Sequence, residues 1–494
     1  MSQRDYDAKR DPRSTPEPTA EVAGDVDVAT APVGDSFVIH QHHARRLHWD
    51  LRLEMKNGDV PVLVSWAVPK NLPLESGTPH LAVHVEDHPF DYGRFEGTIP
   101  EGNYGAGEVR IFDTGSYEVL ERSQGKLTFR LSGKRLRGVW HLTRSASQEE
   151  GKDEWLAFLK NDERPAPDPP PEPTPMLATA AAEPFDDDGW LFEPKWDGVR
   201  TLAVCTDRTG LLSRTGRDVT GTYPELARLH ERLVALDAIV DGEIVTLVDG
   251  RPSFERLQSR MNLTSPKDAE RAAAGIPVTY VAFDVLYLDG RDVTPLPIEE
   301  RKALLEGMVV PSARIVVSQH VTGEGTALAE AARAMNLEGI VAKRLGCPYR
   351  PGRRVRDWLK IKQVSVADVV VGGWSQGEGS RSSTLGALLV GAYDTEGLHF
   401  LGAVGTGFSD QELRRLCPEL EARATTECPF VEGPEGIRAG RFGKPLRGVR
   451  WTAPELVARV EYREVTSQNR LRAPAYKGLR SDKPPEDCRV EDLA

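Results

Sequence analysis

Residues 193–200 read EPKWDGVR, and this stretch indicates both the fold and the chemistry of the chain. Lys195 becomes a nucleophile once its ammonium loses a proton, which burial or a neighbouring cation makes easier. Arg200 lies close behind it in the sequence and can bind a phosphate through two parallel hydrogen bonds. The same pattern also fits a surface turn between two strands. It predicts phosphate chemistry only if later segments agree.

Five later segments agree with a nucleotide site: SRTGR at 213–217, DGE at 241–243, FD at 283–284, EGIVAKR at 338–344 and WLKIK at 358–362. An aromatic ring such as Phe283 can stack on a purine. Lys360 and Lys362 share one strand face and can neutralise phosphate oxygens. Glu243 and Glu338 offer hard oxygen ligands for magnesium or for a ribose hydroxyl. Each residue alone could be structural, but their joint order favours a nucleoside triphosphate site.

With RSDK at 480–483, these motifs resemble those of covalent nucleotidyltransferases, and ATP-dependent DNA ligases most closely, over residues 176–494. The resemblance implies that Lys195 attacks the α-phosphorus of ATP and carries AMP, with Mg²⁺ or Mn²⁺ as the metal. It also assigns the remaining roles: Glu193 beside the adenine, Arg200 and Arg214 at the ribose and phosphates, Glu243 at the ribose, Phe283 stacked on the base, Lys360 and Lys362 at the α-phosphate, Glu338 at the metal, Arg480 and Lys483 at the pyrophosphate, and Arg354 as a further ligand.

Histidine is concentrated at the front of the chain, where eight of eleven precede residue 146. Residues 42–53 read HHARRLHWDLRL and alternate from His48 onward. Alternation places His48, Asp50 and Arg52 on one strand face. Two imidazoles and a carboxylate suit manganese, iron or zinc, and an adjacent arginine suits a phosphate. Exposed polar strand residues would give the same pattern, so both interpretations stand at this point.

This region resembles the 3′-phosphoesterase module of bacterial ligase D proteins, through HHARRLH at 42–48, SWAVPK at 65–70, HVEDH at 84–88 and EGNYGAG at 101–107. The resemblance implies that His42, His48 and Asp50 hold Mn²⁺ and that Arg52 and His84 polarise the scissile phosphate. It further implies that Arg10, Asp11 and Glu17 fold back over the site. Val64 stands where the family often has a basic residue. An alternative is therefore an inactive phosphoesterase that serves as an end-binding module.

The expected fold is multidomain α+β. A flexible arm (1–35) precedes a small β-barrel phosphoesterase domain (36–146). Seven prolines between Pro165 and Pro175 indicate a stiff linker, assigned to 147–175. An α+β nucleotidyltransferase domain, ATP-grasp-like, follows at 176–363, and an OB-fold β-barrel at 364–494. Within the nucleotidyltransferase domain, residues 224–236 are expected to form a helix that begins at a proline.

The net charge of −12 opposes nucleic-acid binding in general, but residues 344–362 hold seven Lys and Arg against one Asp. The expected substrate is double-stranded DNA with nicks or ends, and a Ku-like end-binding protein is an expected partner. Five scattered cysteines favour a cytoplasmic protein, and the lack of a long apolar run favours one without membrane contact. The resemblance adds the expectation of a bacterial, nucleoid-associated monomer. The family's primase-polymerase module is expected to be absent. An RNA ligase or capping-type enzyme is the alternative.

Overall fold

A computed structural model describes residues 14–18, 26–146, 152–248, 250–261, 263–335, 337–362, 365–377, 385–437, 448–463, 465–466 and 468–493. The chain divides into two compact units. The first comprises residues 1–180, 185–325 and 341–359, and the second comprises 181–184, 326–340 and 360–494. Within the described ranges, no helix has the length and apolar character needed to cross a membrane.

The first unit begins with a closed barrel. Its strands are β1 Val33–His43, β2 Leu47–Asn57, β3 Val60–Val68, β4 His80–His84, β5 His88–Pro89, β6 Gly97–Ile99, β7 Gly107–Ser123, β8 Lys126–Gly133, β9 Arg137–Arg144 and β10 Asp153–Asp162. They run in the order β1-β2-β3-β4-β10-β9-β8-β7-β6, and β5 pairs with β3. Because β1 also pairs with β7, eight strands close on themselves. Closure removes the exposed sheet edges that an open sheet would leave.

Strand β10 lies in the span expected from the sequence to be linker. It pairs with β9 and with β4, and so completes the barrel. Trp155, Ala157 and Leu159 alternate along it and are buried in the barrel core. Because apolar residues alternate with a period of two before the prolines begin, residues 153–162 form a strand and not a linker.

The adenylation part of the first unit is α+β. Its elements are β11 Leu177–Ala181, β12 Asp187–Pro194, β13 Val199–Cys205, β14 Thr209–Ser213, β15 Ala238–Val245, β16 Leu247–Val248, β17 Arg251–Pro252, α1 Phe254–Gln258, α2 Pro266–Gly275, β18 Thr279–Leu288, β19 Arg291–Asp292, α3 Ile298–Met308, β20 Ile315–Val317, β21 Val321–Gly323, α4 Gly325–Ala334, β22 Gly339–Arg344 and β23 Arg354–Lys362. One sheet has the order β14-β13-β15-β18-β19 with β20 parallel to β18, and another the order β11-β23-β22-β12-β21. The chain passes between the two units within α4, β22 and β23.

The prediction of a helix at residues 224–236 is wrong. The segment forms two short 3₁₀ turns, Pro224–Leu226 and Leu229–Arg232, and then becomes extended at Leu233. Leu233 forms an isolated bridge to Val309, and Val234 is buried in the core of the barrel. Tertiary contacts therefore override a moderate local helix preference.

The barrel and the adenylation part share a core. Val234 and Val310 belong to the same buried apolar cluster as the barrel residues. The Gln41 amide donates hydrogen bonds to the carbonyl oxygens of Glu231 and Leu233, at 3.3 and 3.2 Å. Arg135 forms an ion pair with Asp289 at 2.7 Å. Buried apolar and polar contacts together hold the two parts in one unit.

The second unit is a β-barrel of OB type with helices attached, as expected. Its elements are β24 Ser365–Gln376, β25 Leu385–Tyr393, β26 Leu398–Val404, α5 Asp410–Glu421, β27 Ala424–Thr425, α6 Gly433–Gly436, β28 Val449–Tyr462 and β29 Ala475–Leu479. The sheet order is β26-β25-β24-β28-β27, with β29 paired to β28. Ser409 caps α5, because its side chain accepts a hydrogen bond from the amide of Glu412. Leu413, Leu416 and Leu420 bury one face of that helix.

Candidate active sites

Three side chains on the β1–β2 hairpin form a potential metal site. One ligand atom each from His42, His48 and Asp50 lies within 4.8 Å of the other two. His42 pairs with His48 across the two strands, and His40 with Asp50. Cross-strand partners share a sheet face, so the alternation that begins at His48 brings the three ligands together. In the described part of the chain, this is the single cluster of three such ligands.

Backbone carbonyls fix the orientation of both imidazoles. His42 Nε2 lies 2.7 Å from the carbonyl oxygen of Gly105, and His48 Nδ1 lies 3.0 Å from that of Arg46. A carbonyl oxygen only accepts, so these nitrogens carry the protons. The other two nitrogens present lone pairs toward Asp50, at 3.8 and 3.6 Å from its carboxylate oxygens. This donor set, with each histidine held through its second nitrogen, fits a divalent cation.

Arg52 keeps the third ligand charged. Burial raises the pKa of Asp50, but Arg52 and His48 outweigh it and hold that pKa well below its usual range. The Arg52 guanidinium donates to Asp50 at 3.0 Å, to His40 Nδ1 at 3.1 Å and to Ser65 Oγ at 2.9 Å. These bonds place a buried, oriented cation beside the metal ligands. The expectation that Arg52 approaches a phosphate is compatible with this position.

Sequence reasoning missed the groups that surround Arg52. His40 accepts its Nε proton, and Tyr92 lies under its guanidinium, 4.7 Å from carbon to ring centroid. His88 Nδ1 is 3.4 Å from Ser65 Oγ. The signal for His40 was available, because it precedes His42 by two residues and therefore shares its face. His88 ends the HVEDH motif at 84–88, but no role was inferred for it, and no pattern pointed to Tyr92.

One residue of the N-terminal arm reaches this group. Glu17 is 5% exposed and accepts a hydrogen bond from the Tyr92 hydroxyl at 3.2 Å. Tyr92 itself contacts Arg52, so Glu17 lies in the shell around the phosphate-binding candidate. The other two arm residues with expected roles, Arg10 and Asp11, lie outside the described residues.

His84 has different neighbours from the metal triad. It ends β4, pairs with Trp66 across the strands, and its ring lies 5.1 Å from that of Trp66. Its Nδ1 is 3.2 Å from the carboxylate of Asp153. Burial lowers the pKa of His84, and Asp153 acts in the opposite direction. Among the described residues, its Nε2 has no hydrogen-bond partner. The structure thus groups His84 with Asp153, a residue that the sequence did not single out.

Val64 does not mark a missing phosphate contact. Its side chain is fully buried in the barrel core, opposite Leu53 on the neighbouring strand. Ser65, the next residue, points to the opposite face and contacts Arg52. A basic side chain at position 64 would face the core, so the inference drawn from Val64 is wrong.

In the adenylation part, Lys195 follows β12 and is half-buried. Glu193, two residues before it, is 3% exposed and binds two ammonium groups. The Nζ atom of Lys302 lies 2.8 Å and that of Lys343 2.9 Å from its carboxylate oxygens. Lys302 was missed, because a lysine in the helical pattern of α3 normally lies on the surface. Here it is 1% exposed and also donates to the carbonyl oxygen of Ser318.

Two aromatic rings and two cations lie near this carboxylate. Lys343 Nζ is 4.8 Å from the ring centroid of Phe283 and 4.4 Å from that of Trp358. The Arg200 guanidinium is 5.3 and 5.5 Å from the same two centroids. Burial lowers the pKa of Lys343, against the raising effect of Glu193. Aromatic faces flanked by cations can bind a purine together with its phosphates.

Asp241 holds the guanidinium of Arg200. The two side chains form paired bonds of 3.0 and 2.6 Å, and the Tyr349 hydroxyl donates to the same carboxylate at 2.6 Å. The donors expected to grip a phosphate are therefore engaged within the protein. Glu243 pairs directly with Arg200 across β13 and β15. Arg214 is exposed in the turn after β14, and exposed Arg354 donates to the carbonyl oxygen of Ala178 at 2.5 Å.

In the second unit, the expected metal ligand and phosphate ligands bind one another. The Glu338 carboxylate forms ion pairs with the Lys362 ammonium at 3.0 Å and with the Arg463 guanidinium at 3.4 Å. Lys360 is half-buried on the same strand as Lys362. A carboxylate held by two cations is a poor metal ligand until those cations move. The tail residues converge on another carboxylate: Arg480 and Lys483 lie 3.3 and 3.8 Å from Asp368, and Arg480 also binds Asp482 at 2.7 Å.

Family models match three stretches of the chain. The DNA Ligase D 3′-phosphoesterase domain matches residues 40–144. The ATP dependent DNA ligase domain matches residues 175–362, and the ATP dependent DNA ligase C terminal region matches residues 381–483. The metal triad falls within the first stretch, and Lys195 with its neighbours within the second.

Relatives match over nearly the whole chain. It is 40% identical over 496 residues to the multifunctional non-homologous end joining protein LigD of Mycolicibacterium smegmatis, and 32% identical over 548 residues to that of Pseudomonas aeruginosa. These alignments cover 98% and 99% of this chain but 60% and 61% of the relatives. The ligase domain of Mycobacterium tuberculosis LigD, a crystal structure, is 36% identical with a TM-score of 0.36, covering 64% of this chain and 97% of that one. The chain is LigD-like: it carries a LigD-type 3′-phosphoesterase domain and an ATP-dependent DNA ligase domain.

Proposed function

We propose that the chain repairs DNA breaks by end joining, with one site that trims 3′ ends and another that seals 5′-phosphate to 3′-hydroxyl ends. The observation that carries the proposal is the presence of two separate reactive groups within one compact unit. One is a triad of metal ligands beside a buried arginine. The other is Lys195, two residues after Glu193, whose carboxylate binds Lys343, and Lys343 in turn lies over the Trp358 ring. The chain spans about 60% of the length of its curated relatives, so its activity as a whole protein is part of the proposal.

The ligase reaction begins at Lys195. Its neutral amine attacks the α-phosphorus of ATP, a P–N bond forms, and the bond to pyrophosphate breaks. Phe283 stacks on the adenine while Glu193 and Glu243 position the base and the ribose. Arg200, Arg214, Arg354, Lys360 and Lys362 compensate phosphate charge, with Glu338 at a divalent metal and Arg480 and Lys483 at the pyrophosphate. The AMP then passes to a DNA 5′-phosphate, and the 3′-hydroxyl displaces it.

The buried ion pairs support this proposal through their chemistry. Lys343 and Lys302 both bind Glu193, so the position of this carboxylate beside the base is fixed. Arg200 and Lys362 are also held by carboxylates. A triphosphate is a stronger anion than a carboxylate, and it can take over such cations by exchange.

For the phosphoesterase, His42, His48 and Asp50 would hold a divalent metal, which we propose to be Mn²⁺. The metal would supply a Lewis acid for the phosphate of a 3′-phosphate or 3′-ribonucleotide end. Arg52, kept in place by Asp50 and Ser65, would compensate the charge on that phosphate. His84 would polarise the phosphate, with Asp153 holding its Nδ1 and leaving Nε2 available.

We further propose double-stranded DNA with nicks or ends as the substrate and a Ku-like protein as the partner that recruits the chain. The enzyme would act as a monomer in the bacterial cytoplasm, at the nucleoid. These proposals rest on the family, and the ligase domain match supports the DNA substrate.

A sealing assay tests the proposal. Nicked duplexes with 3′-hydroxyl, 3′-phosphate and 3′-ribonucleotide ends are incubated with ATP, Mg²⁺ and Mn²⁺. We expect direct sealing of the first substrate and trimming before sealing of the other two. Sealing of RNA but not DNA, or labelling of the protein by GTP instead of ATP, would favour an RNA ligase or a capping-type enzyme. Sealing without any trimming would leave the front domain as an end-binding module.

A further inference from the structure

A cleft of about 1740 Å³ lies between the barrel and the adenylation part of the first unit. The barrel contributes the hairpin that carries the metal triad, and His48 of the triad lines the cleft wall. Ala67, which pairs with Asp50 across β2 and β3, lines it as well. The opposite wall consists of the segment around Arg228 and the loop at Arg314. The cleft therefore borders the phosphoesterase site on one side and the ligase domain on the other.

The charged side chains of the cleft are mostly basic. Seven Lys and Arg line it against five Asp and Glu, in a chain whose net charge is −12. Two of the five acids are already engaged: Glu225 binds Arg260, and Glu231 binds Arg228. The phosphate backbone of DNA binds preferentially to basic surfaces, including those on a chain whose net charge is negative.

Both domains supply these cations. Arg45, Arg46 and Lys70 of the barrel are exposed at the cleft. Arg228 of the adenylation part is 76% exposed, so its guanidinium is accessible despite the surface pair with Glu231. Such an exposed pair is worth little, and a phosphate can replace the carboxylate.

The shared core keeps the two walls together. Val234 lies only a few residues beyond Arg228 and is anchored in the barrel core, and Gln41 binds the backbone of the same segment. The position of Arg228 relative to the metal triad is thus set by buried contacts rather than by a flexible tether.

We infer that this cleft binds the phosphate backbone of the DNA strand whose 3′ end is trimmed, and that the ligase domain, through Arg228 and Arg314, binds substrate for the phosphoesterase. The inference rests on the proposed trimming function and extends it, because a residue of one catalytic domain would determine the affinity of the other domain for its substrate.

Kinetics of the full chain test this assignment. For trimming of a 3′-ribonucleotide on a primer-template, R228A should raise KM about tenfold, as for loss of one charge-assisted phosphate contact, with little change in kcat. The slope of affinity against the logarithm of salt concentration should fall by about 1. Labelling of Lys195 by ATP should be unchanged.

The matched control is R271A. Arg271 is also an exposed arginine of the adenylation part, 82% exposed and paired with Asp268 three residues away, as Arg228 is with Glu231. Arg271 does not line the cleft. An unchanged KM in R228A, or an equal rise in R271A, would overturn the inference.

Cross-linking separates this inference from the proposed function. A DNA with a photoreactive base three nucleotides from its 3′ end is irradiated with the full chain, and the attached peptides are mapped. We expect cross-links to the Arg228 segment and the Arg45–Arg46 hairpin. Cross-links confined to other surfaces would exclude the cleft even if trimming occurs. A protein that trims no 3′ end yet cross-links here would refute the phosphoesterase proposal and retain the cleft as a DNA site.

Discussion

The two candidate sites differ in how they are prepared for their ligands. At the metal triad, backbone carbonyls hold one nitrogen of each histidine, and the remaining lone pairs already converge on Asp50. Around Lys195, the cations are bound by carboxylates: Glu193 holds Lys302 and Lys343, and Asp241 holds Arg200. The first site waits for a cation, whereas the second must exchange internal anions for a triphosphate. Pre-organisation is thus complete in one site and conditional in the other.

The largest effect expected is the loss of adenylation in K195A. The amine is the group that takes up AMP, so labelling of the protein by ATP should fall at least ~10³-fold, while trimming of 3′ ends continues. Mass spectrometry after incubation with ATP and Mg²⁺ measures the added nucleotide. Labelling that persists in K195A would show that the nucleophile is another residue, and the contrast between the two sites would then lose its basis.

Replacing one metal ligand should abolish trimming and spare adenylation. In H48A we expect metal-dependent trimming to fall by about 100-fold or more, because one of three ligands is lost. H141A is a suitable control, since His141 lies on β9 and stacks on Phe158, outside the triad. Equal loss of trimming in H141A would mean that H48A acts through the barrel fold rather than through the metal.

Removing the charge of Glu193 tests the internal anions of the second site. E193Q leaves two buried ammonium groups without their carboxylate, so the free energy of unfolding should fall by about 3 kcal/mol. Urea unfolding followed by tryptophan fluorescence measures the change. E163Q, which removes a partly exposed partner of Arg130, should change it by less than about 1 kcal/mol. A stability of E193Q equal to that of the wild type would show that the ion pairs are not formed in solution.

Asp153 should act as a positioning residue for His84. D153N weakens the bond that orients the ring, and we expect kcat for trimming to fall about tenfold with KM, metal affinity and melting temperature unchanged. E121Q, on β7, removes a surface partner of Lys126 away from the cleft and serves as the control. A parallel loss of melting temperature in D153N would indicate a purely structural role.

The smallest effect concerns Tyr349. Y349F removes two hydrogen bonds, the one donated to the Asp241 carboxylate, which still binds Arg200, and the one accepted from the Met176 amide, so the stability loss should be about 2 kcal/mol. Thermal unfolding measures it, with wild-type ATP labelling expected at saturating ATP. A much larger loss would mean that the Arg200–Asp241 pair depends on the hydroxyl for its geometry.

How far the sequence predicts each site follows from its construction. The proposed metal triad lies on one hairpin, where a period of two places His48 and Asp50 on one face, while His42 was assigned through the family resemblance and pairs with His48 in the structure. The residues around Glu193 and Lys195 come from segments that are distant in the chain. From the sequence alone, Lys302 cannot be distinguished from a surface lysine, because its burial depends on the packing of α3 against β18. The motifs predict that Lys195 is the reactive lysine, but Lys302, which binds Glu193, could be identified only from the fold.

The same distinction explains the failures in secondary structure. Residues 224–236 carry leucines at helical spacing, yet Val234 is pulled into a neighbouring core and the segment extends. Residues 153–162 lie before the prolines and complete an eight-stranded barrel that closes only when β10 joins β4 to β9. Both depend on contacts between distant parts of the chain, which local periodicity does not report. The histidine face and the OB-type barrel, in contrast, follow from alternation within single strands.

Val234 and Val310 also bear on the order of events during a repair cycle. Since both valines are embedded in the barrel core, buried contacts hold the proposed trimming site in place relative to Lys195, the proposed carrier of AMP. On the proposed function, a freshly trimmed terminus would have to slide or rebind to reach the sealing step. Travel by the nucleic acid, and not by the trimming domain, would then set the delay between cleaning and joining.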